Sequence, residues 1–109
     1  MSRVSPEHST LAVTLDSVLA DTPEINWSGA VAGTIFIPAG STITTLTYHA
    51  APKKGGTYLP LQTSAGVAVT QTVVATKAYD MPASLVGCGA IKIVTNADGA
   101  VEISIKGGG

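Results

Sequence analysis

The hydrophobic residues of this chain recur in short runs with a period of two. The clearest run is Val101-Glu102-Ile103-Ser104-Ile105-Lys106, apolar and polar in strict alternation. In an extended strand that period places Val101, Ile103 and Ile105 on one face and Glu102, Ser104 and Lys106 on the other. Similar runs recur upstream, each stopped by turn residues. Val31–Ile37 predicts a strand ending at Pro38-Ala39-Gly40. Thr42–Ala50 follows, with Thr44, Leu46 and Tyr48 on one face and Ile43, Thr45 and Thr47 on the other. Pro52-Lys53-Lys54-Gly55-Gly56 predicts the next turn. Thr57–Leu61 contains Pro60, which cannot donate to a ladder and confines that strand to an edge or a bulge. Ser64-Ala65-Gly66 turns into Val67–Val74, whose Val67, Val69 and Val73 share a face. Pro82 near the start of Met81–Val86 fits a single helical turn. Ala90–Thr95 and Ala100–Lys106 then predict a hairpin across Asn96-Ala97-Asp98-Gly99, because Asp-Gly readily supplies positive φ angles.

Residues 1–30 differ in texture. A polar start leads into Leu11-Ala12-Val13-Thr14-Leu15, where Leu11, Val13 and Leu15 share a face if extended and could add an edge strand. Asp16-Ser17-Val18-Leu19 fits either a continuation or a helical turn. Trp27 closes the segment and has two readings. It is a plug over the core, or it joins Leu11, Val13 and Leu15 as the contacts of an arm docked on a neighbouring subunit. The pattern therefore divides the chain into an irregular N-terminal arm or edge segment, residues 1–30, and a β domain, residues 31–109. Strands at this spacing, with no long helix between them, predict an all-β antiparallel sandwich of immunoglobulin-like or jelly-roll-like type. Its expected core is Ile35, Ile37, Leu46, Tyr48, Leu61, Val69, Ile91, Ile93, Val101, Ile103 and Ile105.

Composition narrows the function more than the fold. Of 109 residues, 45% are hydrophobic, enough for one core, while only 12% are charged, about half the usual share of roughly 25%. Threonine, alanine, glycine and serine fill the deficit, which leaves a surface that is cheap to desolvate against another protein. A net charge of −1 and a pI near 6.0 argue against a nucleic-acid footprint. Near-neutral surfaces repel one another little and tend to associate, which points to work inside an assembly. No run reaches the roughly 20 apolar residues of a membrane-spanning helix. Ser5, Pro6, Glu7 and His8 stand where a secretory signal would need an apolar stretch, so synthesis is expected in the cytoplasm.

Candidate chemistry is sparse. His8 and His49 lie far apart, and Cys88, the single cysteine, sits in Val86-Gly87-Cys88-Gly89-Ala90 as a small hydrophobe. No ligand spacing for a metal and no cofactor motif appears. The serines lack a nucleophile elbow, so no catalytic residue is assigned and an enzyme is not expected. Lys53-Lys54-Gly55-Gly56 precedes a strand and not a helix, unlike a phosphate loop. Aromatic residues make up 5%. Tyr58 and Tyr79 flank turns and form a possible ligand face, with Trp27 a further candidate platform.

Five stretches carry a resemblance. They are Lys54-Gly55-Gly56-Thr57-Tyr58-Leu59-Pro60-Leu61, Ala65-Gly66-Val67-Ala68-Val69, Ala78-Tyr79-Asp80-Met81-Pro82, Ala90-Ile91-Lys92-Ile93-Val94 and the final Val101–Lys106 strand. Together they resemble small β-sandwich proteins of tailed bacteriophages and prophages, encoded among virion structural genes as head-decoration, head-fibre or spike-base components. The resemblance spans about residues 31–106 and lies in strand-and-turn texture. It implies a non-enzymatic structural protein, made in the host cytoplasm and displayed on the virion. The implied partners are the major capsid protein or other virion proteins and further copies of the chain, with no nucleic acid, membrane or cofactor. It maps no catalytic residue. A carbohydrate-binding module of a tail or cell-surface protein is the alternative, and it requires Tyr58, Tyr79 or Trp27 exposed on one face.

Overall fold

The last alternating run becomes the centre of a sheet. In the computed structural model, which describes residues 8–107, strand β9 (Gly99–Gly107) buries Val101 and Ile103, half-buries Ile105, and turns Glu102 and Lys106 to solvent. It lies between β1 (His8–Leu15) and β3 (Ala30–Ile37), and β7 (Lys77–Asp80) completes a four-stranded sheet in the order β1-β9-β3-β7. The second sheet has β8 (Ala90–Thr95) between β2 (Ile25–Asn26) and β4 (Thr45–Ala51). The far side of β4 is shared by β5 (Leu59–Pro60) and β6 (Thr70–Thr72). Every strand pair is antiparallel. This is an all-β sandwich, as the pattern predicts.

The core lies between the sheets, where their inward positions meet. Leu15, Ile35, Ile37, Val101 and Ile103 from the first sheet pack with Ile25, Leu46, Tyr48, Ile91 and Ile93 from the second. Burying each such side chain contributes about 1.5–3 kcal/mol. Of the expected core, Leu61 and Ile105 are partly buried against this cluster and the rest are buried. One end is closed by Trp27, Met81 and Leu85, the last carried on a 3-10 turn at Ala83–Leu85 that follows Pro82. Gly33 makes room for that plug: a Cβ there would stand 2.7 Å from the Trp27 indole and 2.9 Å from the Met81 sulfur.

Three expectations are corrected. First, of the two readings of the N-terminal segment, residues 8–15 take the edge strand and not the irregular arm. They pair with β9 through eight consecutive positions without a register shift, and Asp16 bridges across to Val94 of the other sheet. Residue 30 is therefore no boundary of the fold among the described residues; β1 and β2 are part of the sandwich. The cause is burial: Leu15, Ile25 and Trp27 are each 2% exposed or less. Second, β8 and β9 do not form a hairpin; they belong to opposite sheets. Asn96 Oδ1 accepts the Thr44 and Thr45 amides at 2.7 and 3.0 Å, and Thr95 Oγ1 donates to the Ala97 carbonyl at 2.6 Å. These bonds hold Asn96-Ala97-Asp98 as a bridge between the layers. Gly99 does not take a positive φ; it is needed because a Cβ would meet Ile43 Cδ1 at 2.9 Å. Third, Val67 is exposed, unlike Val69 and Val73, because it closes the Thr63–Val67 turn, bonded by carbonyl and amide to Thr63.

Candidate functional site

The ionisable groups are dispersed, and several serve local structure. Asp16 Oδ1 accepts the Val18 amide at 2.9 Å, and Asp98 Oδ1 accepts the Ser17 amide at 3.3 Å. Among the described residues, no group of three or more His, Cys, Asp or Glu is placed to hold a metal ion. Cys88 is half-buried, and burial pushes its thiol pKa up, which disfavours the nucleophilic thiolate. His49 lies opposite Lys92 in the β4–β8 ladder, with Nδ1 enclosed and without a hydrogen-bond partner among the described residues.

A cluster of ionisable side chains forms beside the second sheet. Glu24 Oε2 accepts the Gly55 amide at 2.7 Å and the Tyr58 hydroxyl. Those two hydrogen bonds, the Tyr58 one foremost, hold the Glu24 carboxyl below its ordinary value, and the Lys54 and Lys92 charges act in the same direction. Burial and the Glu24 carboxylate raise the Tyr58 pKa. The proton therefore rests on the phenol at neutral pH. The Lys92 ammonium stands 5.1 Å from the centre of the Tyr58 ring and donates to the Leu19 carbonyl at 3.2 Å. The chemistry is that of a latch: it ties the Lys53–Gly56 turn and the Leu19–Glu24 loop to β8.

The aromatic ligand face is not assembled. Trp27 is 2% exposed and is the plug, not a platform. Tyr58 precedes β5 of the second sheet and is engaged by Glu24 and Lys92. Tyr79 belongs to β7 of the first sheet, packs against the core, and accepts the Val74 amide on its hydroxyl at 2.8 Å. The proposed arm contacts are also divided. Leu15 and Trp27 are consumed by this chain's own core, whereas Leu11 and Val13 are only partly buried, along the edge strand β1.

The exposed aromatic is Phe36, which lies outside the expected Tyr58–Tyr79 ligand face. Phe36, 42% exposed, points outward from β3 between inward-facing Ile35 and Ile37. It stands in one cross-strand row with Ala12, Glu102 and Ala78. These residues, with Pro38, Thr76 and Ala100, line a shallow groove of about 590 Å³ on the outer face of the first sheet. Thr76 has φ +67°, a costly conformation for a β-branched residue. The signal for Phe36 was present in Ile35-Phe36-Ile37, where strict alternation must put one large apolar residue outside.

No protein-family model matches this chain, and no curated protein matches it either. Among solved structures, it is similar to the SPBc2 prophage-derived protein YomS. The TM-score is 0.57 at 14% identity, covering 97% of this chain and 98% of that one. The two proteins share a fold over nearly their whole lengths.

Proposed function

We propose that this chain is a non-enzymatic structural subunit of a bacteriophage particle. It acts by protein–protein binding, as a capsid-surface decoration or a fibre- or spike-base component. The observation that carries the reading is the whole-length likeness of fold to a prophage-derived protein, which meets the strand-and-turn resemblance already described for residues 31–106. The surface fits the role. With 12% charged residues, it presents small apolar and hydroxyl groups that lose far less than charges do on leaving water. The Phe36 groove and the β1 edge offer apolar and main-chain contacts of the kind that seat one protein on another.

The test is add-back to particles. Particles lacking the gene product are mixed with purified protein and sedimented through a density gradient. Saturable co-sedimentation supports the reading, and failure to bind deficient particles, with the protein folded, overturns it. Replacing Phe36 by Ser leaves the core untouched and reports whether the groove takes part.

A further inference from the structure

The sheet edges of this sandwich are not equally guarded. On the second sheet, β2 and β5 are two residues long, β5 contains Pro60, and β6 has three residues. On the first sheet, β7 begins and ends in charge, at Lys77 and Asp80, and Gln71 Nε2 occupies the Asp80 carbonyl at 2.6 Å. Short strands, proline, charge and side-chain caps are the usual defences against edge pairing. The edge strand β1 has none of them. It runs for eight residues without a bulge, and Ser9–Leu15 contains no charge, proline or glycine. Among the described residues, no hydrogen bond covers the side of Thr10–Thr14 that faces away from β9. Its C-terminal end is closed at Asp16, so the open stretch centres on Leu11–Val13.

We propose that a second copy of this chain adds at this edge. The two β1 strands run antiparallel about a two-fold axis at Ala12 and join the two four-stranded sheets into one of eight. The strand is self-complementary in that register. Leu11 faces Val13 of the second copy on the core side, so each copy covers the other's half-buried pair. Thr10 faces Thr14 of the second copy on the outer side, a favourable cross-strand pair, and neither carries a charge to repel. Shifting the register by one residue would set Leu11 and Val13 of one copy opposite outward-facing positions of the other, which excludes the odd registers. The contact is isologous and closes on itself, so it produces a dimer and not a fibre. It also places the two Phe36 grooves on one continuous outer face.

Sedimentation velocity on the full chain tests this, from micromolar to near-millimolar concentration. The wild type is expected to show a monomer–dimer equilibrium. Thr10→Lys with Thr14→Lys puts ammonium groups opposite each other twice and should raise the dimer dissociation constant by about tenfold at low salt. Thr10→Lys with Thr14→Glu puts opposite charges in the same places and should restore dimerisation. Both positions are exposed, and unchanged melting curves verify that the variants fold. A wild type that stays monomeric throughout overturns the proposal. So does a double-lysine variant that dimerises like the wild type, or a charge-swapped variant that fails to recover. The inference does not depend on the particle reading, since a soluble dimer with no place on a virion would leave it intact.

Discussion

Replacing Leu15 by Ala separates a β1 that belongs to the sandwich from an arm that merely accompanies it. The side chain is fully buried, at the point where β1 ends and the chain crosses at Asp16 to the second sheet. Its loss leaves a cavity that the surrounding core side chains can fill only in part. Such truncations cost about 2–5 kcal/mol, out of a total stability of about 5–15 kcal/mol. At about 4–8 °C per kcal/mol for a domain of this size, the melting temperature should fall by roughly 8–40 °C. Val13→Ala, at a half-buried position on the same face, should cost less than half as much. Urea denaturation followed by Trp27 fluorescence measures both, because Trp27 is in the same core. A change below about 0.5 kcal/mol for Leu15→Ala, the range of an ordinary surface substitution, would refute the reasoning and return residues 8–15 to the status of a detachable arm.

Further outcomes follow from other contacts. A Cβ at Gly89 would stand 2.1 Å from the Pro52 carbonyl oxygen and 2.8 Å from Lys53 Cα, while the Gly89 amide and carbonyl are both hydrogen-bonded, to Ala51 and Trp27. Gly89→Ala should therefore cost about 2–4 kcal/mol in urea denaturation. Gly66→Ala has open space and only its φ of +81° against it, so it should cost about 1–2 kcal/mol; the reverse order would contradict the packing. Thr76→Asn relieves the β-branched residue at φ +67° and should raise stability by about 0.5–1 kcal/mol, with a drop in melting temperature counting against it. The Glu24 carboxyl lies below its ordinary 4.5 when folded, so its contribution is complete above that pH and disappears as pH falls through the folded value. Glu24→Gln should flatten the acid limb of the melting temperature against pH; an unchanged limb would remove Glu24 from the latch.

What the sequence made legible was whatever depends on local alternation. Val101–Ile105 and Ile91–Ile93 read directly as inward faces because each strand has one dry side and one wet side. The destination of a strand is not local. Asn96-Ala97-Asp98-Gly99 reads as a hairpin turn, yet its outcome is decided by Asn96 reaching Thr44 and Thr45, about fifty residues away in sequence. The same limit applies to the N-terminal region. Leu11, Val13 and Leu15 were seen to share a face, but a partner strand from the far end of the chain decides whether that face meets this core or another molecule. For the candidate surfaces, the sequence exposed which aromatics exist and not which are free. Trp27 is buried and Tyr58 is held by Glu24, whereas Phe36 is exposed by the geometry that buries its neighbours.

Quantitative mass spectrometry of purified phage particles from the genome that encodes this chain is the most direct test of the central claim. The account predicts the chain in the particle at a fixed ratio to the major capsid protein. A ratio near parity would place it on the shell, and a far lower one on fibres, vertices or tail. Its absence from intact particles would contradict the structural role.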